Sequence, residues 1–203
     1  MRRTKEDAEQ TRLKVIAAAL ELFSRNGYSN TTLAMIGEAA GFSRGPIYWH
    51  FKNKDELFEA VLAYSQEPLE QLVAECRTRE AAPLAAIRHF VERWFGLLLE
   101  NLWHRQSFEI LLNKTELTAR LAPTLTRERA LTRSILDLLG ELIAAAQAQQ
   151  ALPAAQPPVA LAQLLYASLM GLTHSWLFAP EVFDLQAQAG FFADRLLALL
   201  QAP

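Results

Sequence analysis

Residues 31–51, TTLAMIGEAAGFSRGPIYWHF, constrain this chain more than any other stretch. Leu33, Ile36 and Ala40 recur at helical spacing, with Thr32 ahead of them as a hydroxyl N-cap. Gly41 supplies the positive φ that ends a helix without a Cβ clash. Phe42 returns an apolar group to the core, and Ser43 is placed to cap a second helix whose first turn tolerates Pro46. That second helix exposes Arg44, Tyr48, Trp49 and His50 and turns Ile47 and Phe51 inward. Two short helices joined by a glycine turn, the second too polar to be a core helix, form a helix-turn-helix pattern. In that pattern the second helix enters the DNA major groove.

The rest of the chain reads as helical throughout. Residues 5–26 form a first helix with Leu13, Ile16, Leu20 and Phe23 on one stripe, stopped by Asn26-Gly27. With the two helices above it completes a three-helix module, preceded by a basic arm of Arg2, Arg3 and Lys5. After Asn53 a long amphipathic helix begins, carrying Leu57, Phe58, Val61, Leu62, Leu69 and Leu72, with a kink expected at Pro68. Further helices are expected over 84–101, 104–117, from Pro123 to about 150, and over 158–178 and 184–201. No run of alternating β-branched residues, internal repeat or Gly-x-Gly-x-x-Gly loop occurs. The expected fold is all-α, about nine helices, with a helix-turn-helix domain at 1–52 and a larger domain at 53–203.

Charge separates these two parts. Residues 1–54 hold nine Lys and Arg against five acids, a net of +4; the remainder holds eleven against seventeen, a net of −6. A basic head on an acidic body suits a polyanion partner for the head alone. The single Cys76 excludes an internal disulfide and fits a reducing compartment. The first ten residues lack the apolar core of a signal peptide, and no charge-free apolar run approaches about 18 residues, so a cytoplasmic protein is expected. The four histidines, His50, His89, His104 and His174, show no metal-ligand spacing, and no nucleophilic string stands out. Neither catalysis nor a metal or other cofactor is expected.

The string Gly41-Phe42-Ser43-Arg44-Gly45, followed by Ile47-Tyr48-Trp49-His50-Phe51 with Lys52 and Lys54, closely resembles the signature of TetR-family transcriptional repressors. A second string narrows the resemblance. Gly171-Leu172, Ser175-Trp176-Leu177-Phe178-Ala179-Pro180 and Phe183-Asp184-Leu185 look like the corresponding run in the AcrR/TtgR group, repressors of multidrug efflux pumps. Leu111-Leu112-Asn113-Lys114-Thr115-Glu116 resembles that group more loosely, with Asn113 and Thr115 departing from its usual His and Cys. The resemblance implies a homodimer that binds a palindromic operator and is released by small hydrophobic or aromatic molecules. A TetR-like regulator of metabolism, sensing a fatty acyl chain or other metabolite, is the alternative.

Carried onto this chain, Arg44 is the candidate for base readout, since a guanidinium can bond guanine O6 and N7 together. Gly45 would let the helix backbone approach the duplex. Thr32, Ser43, Tyr48, His50 and Lys54 are candidate phosphate contacts, and Trp49 is a candidate for thymine methyls or sugars. For the inducer pocket the candidates are Leu62, Gln66, Phe95, Trp103, Phe108, Leu112, Asn113, Leu136, Leu139, Met170 and His174, with Glu67 and Glu116 as partners for a cationic ligand. Dimerisation is assigned to the last two helices. The first offers small residues at Ala167, Ser168, Gly171 and Ser175, and the second offers Phe191, Phe192, Leu196 and Leu200.

Overall fold

The computed structural model describes residues 5–78, 82–115 and 121–201, and of Arg44 the backbone alone. Arg2, Arg3 and Glu116 lie outside the described residues. Among those described, nine helices and no strand occur: α1 (Lys5–Asn26), α2 (Leu33–Ala39), α3 (Arg44–His50), α4 (Lys54–Thr78), α5 (Pro83–Glu100), α6 (Leu102–Asn113), α7 (Ala122–Ala148), α8 (Pro158–Phe178) and α9 (Leu185–Leu199). Helix α4 runs through Pro68. None of the described helices is long and apolar enough to cross a membrane.

Two compact units divide the chain. The first comprises the described residues of Met1–Gln66 and Trp103–Thr126; the second, those of Glu67–Leu102 and Arg127–Pro203. Helix α4 contributes to both, and the division falls beside Pro68.

In the first unit, one buried cluster joins Ile16, Leu20 and Phe23 of α1, Ile36 of α2, Ile47 of α3, Phe58 and Val61 of α4, and Ile110 of α6. Amphipathic helices this short are marginal alone, so α2 and α3 exist because this shared core buries their apolar faces. Phe23 and Tyr28 both pack edge-to-face with Phe58, at centroid distances of 5.3 and 4.7 Å. The start of α4 is fixed locally: the Asn53 side-chain oxygen accepts from the Glu56 N–H at 2.8 Å, and the Glu56 carboxylate accepts from the Lys52 N–H at 2.7 Å. The first bond satisfies a donor that the helix N-terminus leaves open, and the second ties the residue before the cap to the first turn of α4.

In the second unit, α9 packs on α5 and α8. Trp94 on α5 is buried, and its indole N–H donates to Thr173 Oγ1 on α8 at 3.0 Å; Tyr166 meets the same indole edge-on. Ion pairs Arg127–Glu70 (2.7 Å) and Arg77–Glu141 (3.1 Å) join the second half of α4 to α7.

Candidate DNA-recognition helix and ligand-facing residues

Helix α2 begins as expected, with the Thr32 hydroxyl accepting from the Met35 N–H at 3.2 Å. It ends in a Schellman turn: the Phe42 N–H donates to the Gly37 carbonyl at 2.8 Å, and Gly41 has φ +74°. Gly37 has a second role that spacing alone does not reveal. A Cβ there would lie 3.0 Å from Ile47 Cδ1 and 3.1 Å from the Phe42 carbonyl oxygen, so glycine permits the close approach of α2 and α3.

Ser43 occupies the N-cap position of α3 in extended conformation, but its hydroxyl makes no capping bond. Ile47 anchors α3 in the core, and the remaining face is left to solvent: Tyr48 is 56% and Trp49 87% exposed. An indole so exposed has no core role in this unit. Nothing lies within 4 Å of where a Gly45 Cβ would sit, so the protein itself does not require glycine there. His50 is half-buried with its ring tilted against Phe51.

Lys54 differs from expectation. Its ammonium donates to the carbonyls of Tyr28 (2.8 Å) and Thr31 (3.0 Å) and lies 4.2 Å from the Tyr28 ring centroid. It therefore staples the α1–α2 connection to the start of α4. Tyr28 completes this knot with a hydroxyl bond to Asp55.

The ligand candidates fall into both units. In the first, Leu62 and Phe108 are buried and Trp103 is half-buried against Tyr64, 5.1 Å between centroids. Gln66 is 2% exposed, and its side-chain oxygen has no partner among the described residues. Leu112 and Asn113 lie instead along a polar cleft of about 490 Å³ beside Asn26, Gly27 and Asn30. In the second unit Phe95 and Leu139 are buried, Leu136 and Met170 are half-buried, and His174 is exposed and stacked on Phe178. Glu67 is exposed. No group of three His, Cys, Asp or Glu among the described residues is placed to hold a metal ion.

His104, considered in the sequence only as a metal ligand, is a buried link within the first unit. Its Nδ1 lies 3.0 Å from the Ser65 carbonyl of α4, so the neutral ring donates there. Burial holds its pKa below the usual histidine value, while the bond to Ser65 opposes that shift. The unfolded chain takes up this proton first on acidification, so the contribution is complete above about pH 6.5 and is lost as pH falls toward the lower folded pKa. Thermal melts from pH 7.5 to 5 should show a steeper loss for the wild type than for His104→Gln. Equal slopes would remove His104 from the acid response.

On the last two helices, Ala167, Gly171 and Ser175 are exposed and Ser168 is half-buried. Phe191 is 61% exposed, and Phe192 is half-buried between Phe95 and Phe183. Leu196 and Leu200, expected to face a partner, are 5% and 1% exposed and complete the unit's own core. The exposed large apolar residues here are Val159, Leu164 and Phe178 on α8, Val182 in the connection, and Phe191 and Leu199 on α9.

A helix-turn-helix with one side anchored in the core and the other facing solvent, followed in the chain by further helices, defines a helix-turn-helix type of regulator by architecture. The family model described as "Bacterial regulatory proteins, tetR family" matches residues 15–61, and "MAATS-type transcriptional repressor, C-terminal region" matches 82–202. The chain is 31% identical to the HTH-type transcriptional regulator AcrR of Shigella flexneri over 98% of this chain and 93% of that one. Among solved structures, NalD, the secondary repressor of the MexAB-OprM multidrug efflux pump in Pseudomonas aeruginosa, superimposes with a TM-score of 0.83 at 31% identity. That match covers 96% of this chain and 97% of NalD. The complex of SmeT with triclosan gives 0.81 at 30% identity, covering 94% and 91%. The chain belongs to the TetR family of transcriptional regulators, as a repressor related to those of multidrug efflux pumps.

Proposed function

We propose that this protein is a homodimeric repressor of a multidrug efflux operon. Two copies of α3 bind successive half-sites of a palindromic operator, and a small hydrophobic or aromatic molecule held by the larger domain releases them. The observation that carries this reading is the whole-chain similarity to NalD and SmeT, both repressors of multidrug efflux pumps. The buried Gln66 side chain supports the ligand half: apolar walls with a few polar groups are what a drug-sized molecule needs, and its Oε1 has no partner among the described residues. The exposed apolar residues of α8 and α9 support the dimer, since such a patch is unusual on a monomer.

The test is a gel shift with DNA upstream of the protein's own coding sequence, titrated with triclosan, cationic dyes, antibiotics and acyl-CoAs, alongside a solution mass. A dimer that shifts the DNA and is released by the drugs supports the reading. Release by acyl-CoAs alone would move it to a metabolic sensor, and a monomeric mass at micromolar concentration would remove the dimer.

On this reading Arg44→Ala weakens binding by about 1–3 kcal/mol through one operator position. Competition between operator and single-base variants measures it. Equal loss on operator and scrambled duplex would take Arg44 out of base readout.

A further inference from the structure

In the second unit, the start of α5 and the end of α9 leave a groove of about 610 Å³ between them. Its apolar walls are Leu84 and Ala85 of α5, Leu197 and Ala198 of α9, and Ala151 of the α7–α8 connection. The volume lies within the range of about 300–1,000 Å³ typical of small-molecule sites. None of the residues considered above for the inducer lines it. Its charges are unevenly matched. The Arg88 guanidinium donates to Asp194 at 2.8 Å and lies 3.5 Å from Glu92, so two carboxylates share it. Arg195 has no carboxylate partner among the described residues; its guanidinium carbon lies 5.9 Å from the Phe191 ring centroid. The lining therefore carries Arg88 and Arg195 against Asp194, a net of +1. We infer that this groove binds a small amphipathic carboxylate, with its apolar part on the alanine walls and its headgroup on Arg195.

Charge complementarity selects the class of ligand. A guanidinium presents paired N–H donors whose spacing matches the two oxygens of a carboxylate. With Arg88 already shared by two acids, Arg195 alone is left to receive a headgroup, which favours one negative charge over two. The start of α5 adds to the same sign: Ala82 at its N-cap has no side chain to bond the open N–H groups of the first turn. Small side chains shape the rest. Ala85, Ala151 and Ala198 leave room for a hydrocarbon tail where larger residues would fill the space. A cationic amphiphile would meet the same walls with its charge opposed, and a neutral one would gain the walls alone. A water-filled crease between helix ends would discriminate among none of the three. The site is separate from the inducer's, so it does not depend on release from DNA.

The probes are decanoate, decylammonium and 1-decanol, titrated into the whole chain carrying isotope-labelled alanine methyls and followed by NMR. Decanoate should shift the methyls of Ala85, Ala151 and Ala198 saturably, and decylammonium should bind more weakly by about fivefold or more. Arg195→Gln should weaken decanoate by about two- to fivefold, the range for an exposed ion pair, and leave 1-decanol unchanged. Ala85→Trp, at an exposed position of α5, should fill the groove and weaken decanoate and 1-decanol alike. Each pair of methylenes kept out costs about tenfold. Ala198→Leu is the second filling variant should the first fail to fold. Shifts confined to alanines outside the groove would overturn the inference, as would equal affinity for decanoate and decylammonium. Unchanged decanoate affinity in folded Arg195→Gln or in a folded filling variant would do the same. Triclosan titrated in parallel against the DNA complex keeps the two readings apart: a protein that triclosan does not release, yet that binds decanoate in this groove, loses the proposed function and keeps this site.

Discussion

Phe58→Ala lowers the stability of the first unit by about 3–5 kcal/mol, the range for truncating a buried aromatic in a core that cannot collapse to fill the gap. The residue is fully buried on the first turns of α4 and packs edge-to-face with Phe23 and Tyr28. Removing it takes away two aromatic contacts as well as the transfer of the ring from water. Because the same cluster includes Ile36 and Ile47, the loss falls on the packing that gives α2 and α3 their shape. Urea unfolding followed by circular dichroism measures the change, with Phe58→Leu as a control that keeps much of the volume and costs less. A loss under about 1 kcal/mol for the alanine would mean that the cluster is not the cooperative core of this unit.

Operator affinity should fall in parallel with that stability when measured near the melting temperature and recover on cooling. This separates Phe58 from a residue on the recognition face, whose loss weakens binding at every temperature. A total stability of about 5–15 kcal/mol makes a core change of this size decisive for a small domain.

The helix boundaries were legible because the signals that set them are local. The Asn26-Gly27 stop, the Thr32 cap and the positive φ at Gly41 each act within a turn of their own position, and α1 and α2 begin and end where those residues stand. The direction of a side chain on an all-apolar helix is a different matter. On α9, Phe191, Arg195 and Leu199 lie outward at steps of four, while Ala193, Leu196, Leu197 and Leu200 turn inward. Hydrophobicity alone marks both sides, so Leu196 and Leu200 read as partner-facing although they fill the core. Lys54 was illegible for a further reason. Its partners are backbone carbonyls 23 and 26 residues away, and no period in the sequence encodes such a pairing.

The departure of Lys54 from expectation gives the second large effect. From its place in the sequence, a lysine at the start of α4 reads as a phosphate contact, whose loss would weaken binding to every duplex alike. In the fold its ammonium instead satisfies the carbonyls of Tyr28 and Thr31, and Thr31 is itself buried, its hydroxyl bonded back to the Gly27 carbonyl at 2.8 Å. Removing the ammonium takes a charged donor from both carbonyls and leaves that of Tyr28 with only the Thr31 N–H at 3.3 Å. Charge-assisted bonds contribute about 1.5–3 kcal/mol, and the contact with the Tyr28 ring adds to that, so Lys54→Met should destabilise the first unit by about 2–4 kcal/mol. The salt dependence of operator binding distinguishes the two roles. A lost phosphate contact lowers the slope of log K against log salt by about 0.9 per protomer. A lost staple leaves that slope unchanged while the melting temperature falls. A lower slope with unchanged melting would return Lys54 to the DNA and leave the α1–α2 connection to the bonds of Thr31, the Tyr28–Asp55 bond and the packing of the Tyr28 ring on Phe23 and Phe58.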